Sequence, residues 1–150
     1  MNSAYLHLVI THLPVVGTLF GSCLFGYALV RRSEELKRTG LLAFVLVALL
    51  AAPAYLSGQP AADLLKHLMP GMTMDACDQH MEVGVLALAG SSVLGVVSLA
   101  GLLLCRNKKS LPAIAAVLVL VLALVSCGMM AWTANLGSKI RHVEIRNSAG

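Results

Sequence analysis

Charge is scarce in this chain. Asp, Glu, Lys and Arg make up 12% of its 150 residues, aromatic residues 5% and hydrophobic residues 58%. A soluble domain carries roughly 25% charged residues, so this composition, with a mean hydropathy of +0.83, excludes an ordinary soluble fold and points to an integral membrane protein. Cysteine is also sparse: Cys23, Cys77, Cys105 and Cys127 show no CxxC or zinc-ribbon spacing, which argues against a disulfide framework. Three of them lie in or at the end of apolar runs, where a thiol serves as a small apolar side chain. The features of a cleavable signal peptide are missing too. The first residues lack a basic n-region, and the apolar run that follows is too long for an h-region alone. Neither an internal repeat nor a low-complexity segment stands out. A pI near 9.1 would suit nucleic acid, but the basic residues sit in short clusters between apolar runs. That is a topology signal, and no nucleic-acid partner is expected.

What the chain does have is four apolar runs, at about 5–30, 40–57, 82–105 and 111–136, each near the ~20 residues that span a bilayer. The expectation is an all-α integral membrane four-helix bundle forming one domain over 1–150. Seven of the eleven Lys and Arg (Arg31, Arg32, Lys37, Arg38, Arg106, Lys108 and Lys109) fall between runs one and two or between runs three and four. The positive-inside rule then puts both loops in the cytoplasm and both termini on the outer side of the membrane. The outer loop at 57–80 reads SGQPAADLLKHLMPGMTMDACDQH. Pro60, Pro70 and Gly71 are expected to break it into short pieces, with a short amphipathic helix at 61–68 lying at the interface. Asp63, Asp75, Asp78 and Glu82 outnumber Lys66 there, so this face is acidic. Trp132, Tyr5 and Tyr55 suit the aromatic belt, and the tail carrying Lys139, Arg141, Glu144 and Arg146 is expected to extend the fourth helix beyond the membrane.

On this topology all five histidines fall on the outer side. His7 and His12 head the first run, His67 lies in the outer loop, His80 starts the third run and His142 follows the fourth. Ionisable groups near hydrocarbon are costly and usually functional, so a shared site is the economical reading. The plainer alternative is that interfacial histidines are polar residues at home among headgroups. Helical steps of three and four from His80 reach Gly84, Ala87, Ser91 and Gly95; backwards from His142 they reach Ser138, Asn135, Ala131 and Gly128. From His7 they reach Thr11, Pro14, Thr18 and Gly21, and Gly17 with Gly21 makes a GxxxG. Such stripes serve close helix packing, or they leave a slot for a flat macrocycle beneath a ligating imidazole. His7 and His12 are five apart and diverge by about 140° on a regular helix, so one ion does not readily take both unless Pro14 kinks the helix. The outer loop also gathers Met69, Met72, Met74, Cys77, His67 and His80. These are the soft ligands that select Cu(I), although Met is also flexible apolar filler.

Four segments resemble the DUF2231 family of small bacterial four-helix membrane proteins. HLVITHLPVVG at 7–17 resembles the family's HPxLVHFPIGL start, and AYLSGQPAADLLKHLMPG at 54–71 is similar to the AYLTGEPAEDxxEHLPG segment of one branch. DQHMEVG at 78–84 resembles that branch's ExHEEAG, and TANLGSKIRHVEIR at 133–146 resembles WLGGELVYRHGVGV. The likeness runs along almost the whole chain in the same order. It departs where Leu8 replaces the proline after the first histidine and where the end lacks the GG pair and the final glycines. By this likeness His7, His12, His80 and His142 fall on the family's recurrent histidines, and His67 belongs to the branch. Some members resemble fusions to Rieske iron–sulfur domains, which implies redox work.

Three functions are therefore weighed. The first is an electron-transfer membrane protein holding haem b. Histidines on different helices of a bundle supply both axial ligands, with His12 and His80 favoured as the pair and His7 with His142 as a second pair or polar support. Electrons would pass laterally, from quinol to a periplasmic cytochrome or within a larger redox complex. Glu82, Asp78 or Asp75 would take the protons, and the acidic loop would attract a basic partner. The second is a copper or zinc module built on His80, His67, Cys77 and the loop methionines. The third is a non-catalytic assembly subunit.

Overall fold

The computed structural model describes residues 2–68, 74–106 and 110–141, and all the regular structure among them is helical. Five helices follow one another: α1 Ser3–Val30, α2 Glu34–Leu56, α3 Gly58–Leu68, α4 Met74–Leu104 and α5 Ala113–Arg141. Four segments (Ser3–Val30, Glu34–His67, Cys77–Leu104 and Ala113–Ile140) are long and apolar enough to cross a membrane. The architecture is that of a multi-pass membrane protein. Large outward side chains such as Leu49, Val96 and Ile114 are exposed, as suits surfaces compatible with a lipid bilayer.

The helices begin and end where local chemistry dictates, not where hydropathy changes. The segment at 31–38 reads as a loop by charge, yet α2 starts at Glu34. Ser33 caps it by accepting from the Leu36 N–H at 3.3 Å, and Glu34 and Glu35 sit in the first turn, where carboxylates complement the helix dipole. The turn from α1 is thus only three residues long. Within it the Ser33 N–H reaches the Ala28 carbonyl at 3.0 Å and the Arg32 N–H reaches Leu29 at 3.2 Å, a Schellman closure. Arg32 carries it with φ 52°, in the left-handed region.

The outer loop departs most from expectation. Most of it is helical: α3 begins at Gly58 rather than 61, and α4 begins at Met74 rather than 82. Pro60 does not break the chain, because a first turn does not need its missing N–H. The Ser57 N–H donates to Pro53 (3.0 Å) and the Ala61 N–H to Ser57 (3.3 Å), so α3 continues almost directly from α2. The Ser3 hydroxyl donates to the Pro60 carbonyl at 2.9 Å, tying α3 to the start of α1. At the other terminus α5 runs to Arg141, well past Trp132.

In the bundle α1 borders α2 and α5, and α4 borders the same two, so α1 and α4 face each other across the diagonal. Close packing comes from notches. A Cβ on Gly21 of α1 would lie 2.8 Å from Phe44 of α2, and one on Gly40 of α2 would lie 2.9 Å from Phe25 of α1. Each phenylalanine therefore fills the other helix's glycine notch, and the two ring centroids are 5.9 Å apart. In lipid, where apolar burial gives helices little reason to associate, such contacts carry the association. The bulky core of Phe25, Leu41, Phe44, Leu94 and Val119 occupies the half nearer the Arg31 end. That end is also clasped by polar bonds. Glu34 pairs with Lys37 at 2.7 Å and accepts the Leu111 N–H at 3.1 Å, while Arg38 donates to the Cys105 carbonyl at 2.7 Å. The opposite half is lined by small residues, Ala51 and Ala87 with Met130, and leads to the histidines.

A candidate histidine site at one end of the bundle

His7 enters from the first turns of α1 and His80 from the second turn of α4, so the two come from diagonal helices. Their ring centroids are 6.3 Å apart and their planes are perpendicular, at 89°. Each ring is half-buried and seated on a neighbouring helix. The His7 Nδ1 lies 2.8 Å from the Ser57 hydroxyl, which itself donates to the Ala54 carbonyl at 2.8 Å. With that proton committed, the Ser57 oxygen accepts, and His7 Nδ1 is the donor. His80 Nδ1 lies 3.0 Å from the Thr133 carbonyl, which can only accept. Both histidines are thereby held as Nδ1–H tautomers, which leaves Nε2 as the basic nitrogen in each.

Glycines complete both seats. A Cβ on Gly58 would stand 3.5 Å from His7 Cε1, and one on Gly137 would stand 3.1 Å from His80 Cε1. Ser57, Gly58, Thr133 and Gly137 are the part of the site that motif reading passed over. The available signals were Ser57-Gly58 closing the second apolar run, and Thr133 and Gly137 one helical turn apart.

The other sequence-nominated histidines do not join this pair. His12 is exposed on α1, with its Nδ1 donating to the Leu8 carbonyl of its own helix. The helix continues through Pro14, and His12 stays on its exposed face. The pairing favoured from sequence, His12 with His80, is thus not the one that the structure brings together; His7 takes that place. His67 is exposed near the end of α3. His142, Met69 and Met72 lie outside the described residues. Cys77 is buried, but among the described residues no group of three or more His, Cys, Asp and Glu is arranged to hold a metal ion.

Imidazole chemistry and spacing together suit two ligands of one centre. A metal–imidazole bond is about 2.0–2.1 Å long, so two rings on opposite sides of one ion have centroids roughly 6 Å apart. Orientation of each ring by a hydrogen bond at the second nitrogen is the usual support of a ligating histidine. In the structure the two rings meet in a T-shaped arrangement, and a shared ion would need both Nε2 atoms turned toward it. The slot expected beneath them is a different matter. Gly84 of α4 lies against Tyr55 of α2, a Cβ on Gly95 would overlap Ala48, and Ser91 is fully buried. On α1, Gly17 packs on Val47 and Gly21 on Phe44. Both stripes are consumed in packing against α2. The stripe of Gly128, Ala131 and Asn135 on α5 is exposed and lies opposite the Thr133 and Gly137 face that meets His80. The stripes therefore close helix contacts and do not converge on a slot.

Comparisons with family models, with curated proteins and with solved structures find no match to this chain.

Proposed function

We propose that this chain is an electron-transfer membrane protein whose single redox centre is held by His7 and His80. The observation that carries the reading is the pair itself: two imidazoles from diagonal helices, 6.3 Å apart, each anchored through Nδ1. Donor number favours haem b. A porphyrin supplies four nitrogens of its own and asks the protein for two axial ligands, whereas structural zinc asks for four. When bound, a haem would supply one-electron exchange. His7 and His80 hold and orient it, and their seats on Ser57 and Thr133 fix ring direction and tautomer. Because both donors lie at one end of the bundle, electrons pass laterally there and not across the bilayer. The Lys and Arg at the opposite end favour that end being cytoplasmic; the histidines would then lie on the outer face, within reach of quinol and of a periplasmic carrier.

A second reading has its own support. The packed stripes admit a bare ion between the rings more easily than a macrocycle, and imidazole also suits copper. One experiment separates the two. The full chain is purified in mild detergent, and its absorption spectrum and metal content are recorded beside His7→Ala, His80→Ala, His12→Ala and His67→Ala. A Soret band lost in the first two variants and kept in the last two supports haem. A colourless protein retaining copper with the same dependence supports the ion. A wild-type protein carrying neither sinks both readings.

A further inference from the structure

On the outer side of the α4/α5 seam, directly behind the seat of His80, lies a groove of about 270 Å³ lined by Gln79, Glu82, Val83, Leu86, Trp132 and Leu136. The seam has two sides. Its inner side carries His80 against Thr133 and Gly137, and its outer side is the groove, with buried Val83 at its floor. Along its length the groove is amphipathic. Gln79 and Glu82 belong to the polar first turns of α4, and Leu86 lies a turn deeper in the apolar span. Trp132 and Leu136 form the opposite wall.

Four features select the occupant. Lining groups at the polar end are a carboxylate and an amide, and no Lys or Arg stands among the lining residues to neutralise a phosphate. An anionic phospholipid headgroup is therefore disfavoured, and a neutral head with O–H donors is favoured. The volume falls just below the 300–1,000 Å³ typical of small-molecule pockets, which suits one ring with one chain better than a two-chain lipid. Glu82 and Gln79 make no hydrogen bond or ion pair with any described residue, so the acceptor is not already committed. An indole wall suits the flat face of an aromatic head.

We infer that the α4/α5 groove binds a hydroquinone with an apolar tail, its hydroxyl donating to Glu82, its ring against Trp132 and its tail along Leu86 and Leu136. The inference deepens the electron-transfer reading by naming a reduced partner beside His80, and its biological sense rests on that reading. Binding alone is claimed, and binding is measurable without the redox centre.

Trp132 is the only tryptophan of the chain, so its emission reports this groove. The detergent-purified full chain is titrated with a decyl-substituted benzoquinol kept reduced under argon. A saturable change in emission is expected. It should require about tenfold more quinol in the Glu82→Leu/Gln79→Leu double variant, the loss expected for one charge-assisted hydrogen bond. Leu86→Phe, an exposed position that tolerates a larger side chain, should weaken binding from the apolar end without touching the polar one. A change that grows linearly with quinol and is the same in all variants reflects partition into the micelle and overturns the inference. So does saturable quenching by phosphatidylglycerol with brominated chains that quinol does not displace, since the groove then belongs to annular lipid. Saturable, Glu82-dependent binding to a protein without haem or copper retains the groove and removes the redox reading. A metal centre without such binding does the reverse.

Discussion

Gly137 lies so close to His80 that a Cβ in its place would stand 3.1 Å from Cε1, 3.5 Å from Nδ1 and 3.8 Å from Nε2. The α5 backbone is in effect one wall of the imidazole seat, and Thr133, one turn earlier, supplies the carbonyl that orients the ring. A side chain at 137 has to push the ring off that carbonyl or push α5 away from α4.

Gly137→Leu is therefore expected to lower occupancy of the proposed centre at least as strongly as removing one anchoring bond, about 10–100-fold in affinity. Gly128→Leu is the control on the same helix, because a Cβ there meets nothing within 4 Å. Haem or copper content of the two purified variants, at matched yield, makes the comparison. Equal content in both would remove Gly137 from the site.

A second prediction concerns packing. A Cβ on Gly95 would overlap Ala48 of α2, so Gly95→Leu forces α4 and α2 apart, an overpacking that costs about 1–3 kcal/mol. Gly26→Leu adds a side chain where nothing lies within 4 Å and should leave stability unchanged. Thermal unfolding in one detergent distinguishes them. Matching midpoints would mean that the α4 stripe is not a tight contact.

Much of this was legible in the sequence. Four apolar runs point to four spanning helices, because few other structures satisfy the backbone in lipid. Hydropathy does not mark where helices run on beyond the hydrocarbon, so it does not reveal the polar first turns of α4 or the capped start of α2. Ser33 followed by two glutamates was the missed N-cap signal. The gathering of histidines at one end follows from the order of the spans. Their pairing did not follow from the five-residue spacing, which shows only that His7 and His12 diverge. The stripe below each was the better guide. Below His7 lie Pro14, Thr18 and Gly21, all buried, whereas below His12 lie Val16 and Leu19, both exposed. A small and polar stripe points into a membrane bundle and a large apolar one points to lipid. Seats made by a backbone carbonyl and by glycines have no side-chain signature and emerge only from the fold.

Orientation gives a third prediction. With the seven basic residues in and beside the two short connections as cytoplasmic anchors, a cysteine at exposed Ser110 should be shielded from a membrane-impermeant maleimide added to intact cells. One at exposed Asp63 should react. Both are made in a background with the native cysteines replaced by alanine. The reverse pattern would turn the bundle over and put the histidines on the cytoplasmic face.

The last prediction tests whether the seat of His7 positions a ligand or only satisfies a polar group. Ser57 follows the last turn of α2, donates to Ala54 and accepts from His7. Removing its hydroxyl by Ser57→Ala leaves the Nδ1–H without its acceptor and the ring without its orientation. The loss to the fold should be small, about 1 kcal/mol for one hydrogen bond, because the backbone bond from Ser57 to Pro53 remains. Loss at the proposed centre should be larger, since supports of this kind change metal affinity about 10–100-fold. Ser57→Thr keeps the hydroxyl and should restore most of the affinity. The two readouts are the unfolding midpoint and the affinity for haem or copper, measured on the same preparations. An orienting role requires the affinity to fall while the midpoint holds, with rescue by threonine. If affinity and midpoint fall together and threonine rescues neither, Ser57 belongs to the α2–α3 junction alone.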